Sequence, residues 1–349
     1  MRNDFDQVSQ ENEQAIEELK RKSEKPASGK KRIMQILKYL FLVLVAVFLI
    51  RYFKNNAEDF ASRIKSIDRF VFLSAVLVFF VYKFMNALLF HYITVLNNCA
   101  IDWKDAVIAY LFSILGKYIP GKVFMLLARI PPYAERGRSV RKVTVCFFLE
   151  NLCTLLGAAF LFILSLLFMP ASFREQYSWV MWAAMAMIIV FLICLNPKIL
   201  NFFLRIAGKL IGKKDMEISI TYPQMLKVVF LFMLNWLVNG VGFYLICRSI
   251  CPQVTQNYIF YVAGLFGLSV VIGILALFAP AGVGVREGIL IAGLVLIIPR
   301  ADAEAISIVA RLWMTVSELI MIAAAAVINL IRKSKKKGSL TAEAGQSDE

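Results

Sequence analysis

A proline and two glycines interrupt the apolar run Tyr258–Ile298: Ala279-Pro280-Ala281-Gly282-Val283-Gly284-Val285-Arg286-Glu287 places a helix break and a charged pair among otherwise hydrophobic residues. Proline removes a backbone donor and clashes with the preceding turn, while glycine permits a sharp reversal. The pattern predicts that one helix, Tyr258–Phe278, ends here and a second, Val285–Ile298, begins. Few environments accept such a break. Irregular backbone at membrane depth is tolerated only where protein or a wet cavity surrounds it, and the free N–H groups that open the second helix favour an anion beside Arg286. The expectation is a half-helix pair deep in a membrane protein, with a small electropositive pocket at its tip.

Composition supports the membrane setting. The chain is 60% hydrophobic, only 18% charged, and carries 28 Phe, more than a soluble domain needs. Its net charge of +15 gathers at both tails and in two internal loops, which reads as topology and attraction to anionic headgroups. No basic stripe interleaved with aromatics is present, so nucleic acid is not an expected partner. A single His and the absence of a CxxC pair argue against a metal site. There is no Walker A loop and no GxSxG nucleophile motif. No cofactor, metal or catalytic residue is therefore expected. The six cysteines read as reduced packing residues, with a Cys247–Cys251 disulfide as the alternative. Residues Met1–Arg32 are polar and lack an apolar core, unlike a cleavable signal peptide.

The apolar runs are Ile36–Phe53, Phe70–Leu96, Asp105–Ile130, Val143–Met169, Trp179–Leu195, Gln224–Ile250, Tyr258–Ile298 and Ala303–Ile331, with an amphipathic stretch at Pro197–Leu210. Within the third, Gly116-Lys117-Tyr118-Ile119-Pro120-Gly121-Lys122 is a second Pro-Gly break. If every run crossed the bilayer, the basic loop Arg136–Lys142 would lie outside, against the positive-inside rule. Treating the two broken runs as re-entrant removes the conflict. The expected fold is an all-α polytopic membrane protein with six full transmembrane helices plus two re-entrant broken helices. Cytoplasmic tails 1–32 and 333–349 flank a transmembrane domain, 33–332, and the tail from Arg332 is expected to be irregular. Crossing, broken hairpin, crossing then occurs twice in opposite orientation, at 70–169 and 224–331. Such inverted repeats belong to transporters that bind substrate where half-helices meet near the midplane.

Charge at the bilayer centre costs about 2.5–3.5 kcal/mol on insertion scales and usually faces a partner or a wet cavity. Lys117, Pro120, Gly121 and Lys122 at the first break, and Pro280, Gly282, Gly284, Arg286 and Glu287 at the second, form one set of candidate substrate contacts. Glu150, Asn151, Asn235, Asn239, Arg311 and Glu318 on flanking helices form the other. Read functionally, the cations hold a lipid phosphate and the carboxylates orient them or meet the headgroup. Read structurally, they are internal ion pairs that fix helix packing. Arg311 and Glu318, seven apart, share a helix face. Arg129 has a further alternative, snorkelling to the interface. Asn235 and Asn239 suit interhelical hydrogen bonding as well as substrate contact, and Lys83, Asn86 and His91 are weaker candidates.

Together the Gly-Lys-Tyr-Ile-Pro-Gly-Lys element with Arg129, the Glu150-Asn151 pair, and Pro280-x-Gly-x-Gly-x-Arg-Glu resemble the lysylphosphatidylglycerol synthase transmembrane, or flippase-like, family over roughly residues 35–332. In its large bifunctional members, the multiple peptide resistance factors, such a domain moves aminoacylated phosphatidylglycerol between leaflets, and a separate cytosolic domain makes that lipid. Here only a short tail follows Ile331, so the aminoacyl-transfer domain is not expected. The resemblance implies translocation of an anionic phospholipid or polyprenyl-phosphate-linked precursor in a prokaryotic cytoplasmic membrane. Membrane lipids are the expected partners, and a lipid-synthesising enzyme or glycosyltransferase and a second copy of the chain are further candidates. The alternatives are a lipid-modifying transferase, such as a phosphatidylglycerol lysyltransferase, and a lipid-binding scaffold.

Overall fold

The computed structural model describes residues 67–118, 123–168, 195–211, 217–276 and 284–346, with Asn12, Glu17, Trp182, Ala186, residues 188–193 and Gly282 beside them. The apolar run Ile36–Phe53 and most of Trp179–Leu195 lie outside the described residues. So do Pro120, Gly121, Lys122 and Pro280.

Every regular element among the described residues is helical. The order is α1 (Arg69–Leu96), α2 (Trp103–Ser113) with a 3-10 turn Ile114–Tyr118, α3 (Val123–Arg129), α4 (Pro131–Ala134), α5 (Val140–Ser165) with a 3-10 turn Leu166–Phe168, α6 (Pro197–Ile211), α7 (Tyr222–Ile250), a 3-10 turn Gln256–Tyr258, α8 (Ile259–Leu275), α9 (Val285–Leu294) and α10 (Arg300–Gln346). Five segments are long and apolar enough to cross a bilayer: Arg69–Leu96, Val140–Phe168, Tyr222–Ile250, Gln256–Leu275 and Arg300–Arg332. The chain is thus an all-α, multi-pass membrane protein. Phe70, Leu77, Leu312, Val316 and Leu330 point outward from these segments, as lipid-facing side chains should.

Local chemistry places the helix ends. Asp68 caps α1, its carboxylate accepting from the Phe70 and Val71 amides at 3.0 and 3.2 Å, and Asp102 caps α2 through the Lys104 amide at 3.0 Å. At α7 the Gln224 side chain reaches back to the Thr221 amide, 2.9 Å. Both breaks fall where Pro and Gly predict them, with α8 ending at Leu275 and α9 starting at Val285. α8 and α9 stop at Leu275 and Leu294, short of the expected Phe278 and Ile298, and the last helix departs further. α10 continues past its apolar part to Gln346, because the Lys-rich stretch after Arg332, followed by Leu340, Ala342, Glu343 and Ala344, contains good helix formers.

Helices α1 and α7 run antiparallel along most of their length. The Asp68 amide donates to the Ser249 carbonyl at 3.1 Å at one end, and the Ser219 amide donates to Asn97 Oδ1 at 3.2 Å at the other. Around this pair, α5 packs on α7 and α8, and α10 packs on α1 and α2. Gly240 permits the close approach of α7 to α8, since a Cβ there would lie 2.2 Å from Cβ of Ala263. Asp105, in the first turn of α2, pairs with Arg136 beyond α3 and with Arg332 of α10 at 2.9 Å. Tyr261, in the first turn of α8, donates its hydroxyl to the Gly293 carbonyl in the last turn of α9 at 2.9 Å.

The five described cysteines, Cys99, Cys146, Cys153, Cys247 and Cys251, are buried and free. The Cys247–Cys251 disulfide is therefore not formed.

Gly282 carries the turn into α9. Its φ is +68°, and an added Cβ would sit 2.8 Å from Cα and 2.9 Å from the carbonyl oxygen of Gly273. Both neighbours are backbone, so relief requires α8 to move. Gly282→Ala is expected to cost about 1–3 kcal/mol. Gly288→Ala, where nothing lies within 4 Å, should be neutral or gain up to about 1 kcal/mol of helix propensity. Thermal unfolding of the two purified variants checks the contrast; equal melting temperatures would remove the claim that the turn demands glycine.

Candidate functional site

The site is built on the middle of α10. Glu318 is 0% exposed, and two ammonium groups converge on it: Lys83 of α1 at 2.9 Å, and Lys117 from the 3-10 turn that ends the first half-helix. Burial makes an unpaired carboxylate too costly, so these three elements lock together around one charge. Lys83 is only a weaker candidate in the sequence, because its position opposite Glu318 depends on the α1–α10 packing.

One turn back along α10 lies Met314, about 6 Å away along the axis. Arg286, at the second position of α9, reaches it: Nη2 stands 2.7 Å from the Met314 sulfur, and the guanidinium lies 4.8 Å from the centre of the Phe266 ring on α8. Arg286 is 8% exposed and forms no ion pair among the described residues. The two breaks in the chain thus deliver a cation each, Lys117 and Arg286, to adjacent turns of one helix.

Glu287 points elsewhere and holds the turn. One carboxylate oxygen accepts from the Gly284 amide at 2.7 Å, where φ is +84°, and the other faces Arg311 at 3.3 Å. Ser307 Oγ donates to the Glu287 carbonyl at 3.4 Å. Arg311 and Glu318 share α10; among the described residues Arg311 meets Glu287, while Glu318 meets Lys83 and Lys117.

A second buried pair is separate. Arg129 is 1% exposed and binds Glu150; Ser113 Oγ accepts from its Nε and Nη2 at 3.2 and 3.0 Å. The rings of Phe90, Tyr110 and Phe147 surround its guanidinium carbon at 4.2, 4.5 and 5.1 Å. Arg129 does not snorkel, since side chains of α1, α2 and α5 enclose its guanidinium. Asn151 turns back on its own helix, donating to the Phe147 carbonyl at 2.8 Å. Asn235 and Asn239 are buried on α7, and His91 is half-buried, its Nδ1 without a hydrogen-bond partner among the described residues.

Comparison with protein families decides the identity. The model of the lysylphosphatidylglycerol synthase TM region matches residues 35–321, most of the chain. The chain belongs to the lysylphosphatidylglycerol synthase transmembrane family. No match was found among curated proteins. The matched region of this family takes in both breaks, Arg286, Lys117 and Glu318, so the convergence on α10 lies inside the family's membrane region.

Proposed function

We propose that this chain translocates an anionic lipid, either a phospholipid or a lipid-linked precursor, by holding its phosphate between the tips of two re-entrant half-helix pairs. The observation that carries the reading is Arg286: a buried guanidinium, at a helix N-terminus, whose contacts among the described residues are a thioether and a ring and not a carboxylate. Burying an uncompensated charge is expensive. A phosphodiester would supply the missing anion, with Lys117 and Lys83 one turn away. Lys122, Pro120, Gly121 and Pro280 join this site in the proposal as parts of the same tips, and Gly282 and Gly284 shape the second.

Re-entrant geometry is supported by contacts that tie the start of each broken segment to its end: Asp105 to Arg136, and Tyr261 to Gly293. Gln256–Leu275 is long enough to span, yet that return contact favours a dip. The inverted repeat is supported by reciprocal packing, in which the third helix of each half rests on the first half-helix of the other, α5 on α8 and α10 on α2, around the antiparallel α1–α7 pair. Arg136 and Arg332 meet at Asp105, and Arg138, Arg141 and Lys142 follow Arg136 closely in the chain; the positive-inside rule makes this end cytoplasmic. On this reading the membrane is the inner membrane of a prokaryote, with both termini inside.

Reconstitution tests the proposal. Vesicles containing the purified chain should exchange an anionic phospholipid between leaflets at least tenfold faster than protein-free vesicles. Exchange no faster than in protein-free vesicles, from correctly folded protein, would reject translocation.

A further inference from the structure

Asn239 lies on α7 between two aromatic residues that reach toward the two cation subsites. One turn to one side on α7 is Trp236, whose ring is 5.8 Å from Tyr82, the neighbour of Lys83. One turn to the other is Phe243, stacked at 4.3 Å on Phe266, the ring beneath Arg286. Asn239 is 0% exposed, and neither its amide oxygen nor its amide nitrogen has a hydrogen-bond partner among the described residues. Two further unpartnered polar atoms belong to the same region: Oδ1 of Asn235, one turn away on the same face, and the indole N–H of Trp313 on α10. Gly242, also on this face, would carry a Cβ 3.0 Å from the Trp313 ring, so α7 presents this row directly to α10.

Buried amides without partners keep the full desolvation penalty and are rare unless something else satisfies them. Interhelical hydrogen bonding is the ordinary use of such asparagines, and among the described residues neither of these two makes such a bond. The row offers donors and acceptors and no charge, beside the aromatic residues that reach toward the two cationic subsites. That chemistry suits hydroxyl groups, each of which both donates and accepts.

We propose that Asn235, Asn239 and Trp313 form a subsite for an uncharged, hydroxylated headgroup, a polyol or sugar, carried on the phosphodiester that Arg286 holds. The inference rests on the phosphate reading above and narrows it. All four atoms are shielded, so the headgroup meets them in an arrangement where α10 has moved away from α7. Lipids with the same phosphodiester charge but no headgroup hydroxyls should bind less well.

The test titrates the purified full chain with phosphatidylinositol, phosphatidylethanol and phosphatidylcholine, reading lipid occupancy by native mass spectrometry. The first two carry equal charge and differ in headgroup hydroxyls. The wild type should favour phosphatidylinositol over phosphatidylethanol about tenfold, the worth of one to two net hydrogen bonds. Asn239→Leu should reduce that ratio to about one. Trp313→Phe, which keeps the ring and removes only the N–H, should lower it about threefold and stands in if the first variant does not fold. Arg286→Gln should weaken both anionic lipids alike. Equal binding of phosphatidylinositol and phosphatidylethanol, both above phosphatidylcholine, would overturn the hydroxyl subsite and leave the phosphate reading standing. A preference unchanged in both variants would overturn it too. No advantage of either anionic lipid over phosphatidylcholine would overturn the phosphate reading, and this inference with it.

Discussion

Replacing Arg286 by glutamine is expected to slow leaflet exchange of an anionic lipid at least tenfold while leaving the melting temperature of the purified chain equal to or above that of the wild type. The two directions come from one cause. Among the described residues this buried charge has no carboxylate partner, which burdens the folded state, and neutralising it relieves that burden. The same guanidinium would form charge-assisted hydrogen bonds to a phosphate, each worth about 1.5–3 kcal/mol, so its loss removes about ten- to more than hundredfold in substrate affinity. A structural arginine behaves in the opposite way. If Arg286→Gln lowers stability and leaves exchange untouched, the residue holds the fold together and the site must lie elsewhere. Lysine at this position keeps the charge but loses the fork of donors, and should retain part of the exchange.

Glu150→Leu is the second large effect, and it falls on stability. Arg129 is enclosed by three rings, by Ser113 and by this carboxylate. Removing Glu150 strands the guanidinium, at a cost of about 3–5 kcal/mol, enough to abolish accumulation of many membrane proteins. The double variant Arg129→Met with Glu150→Leu should recover most of the loss, because a buried pair exchanged for apolar residues of similar volume is often neutral. Yield and thermal unfolding of both single variants and the double variant measure the coupling. Should Glu150→Leu instead fold normally and lose exchange, Glu150 belongs to the substrate path and not to the scaffold.

Much of this fold was readable from residues alone, for physical reasons. An apolar run of bilayer length has few alternatives to a helix, and so α1, α5 and α7 begin and end within a few residues of the runs that predict them. Pro and Gly act through local sterics, and the second break stands between Leu275 and Val285 as expected. Intramembrane charge marked Lys117, Arg286 and Glu318 as candidates before any contact was known. Pairing was not readable. Arg311 and Glu318 occupy one face of α10 yet meet Glu287 and two lysines respectively, since partner choice depends on which helix packs opposite. Phe266 beneath Arg286 and the three rings around Arg129 carry no mark that separates them from the other aromatic residues in the chain. Met314, too, is an unremarked apolar residue until α9 is set against α10.

The most direct measurement is an experimental structure of the chain in a bilayer nanodisc containing an anionic phospholipid. A lipid phosphate is expected within hydrogen-bond distance of the Arg286 guanidinium, between the α9 tip and the Lys83–Lys117–Glu318 cluster. A structure in which Arg286 is instead satisfied by a carboxylate of the protein, with lipid phosphates confined to the two interfaces, would contradict it.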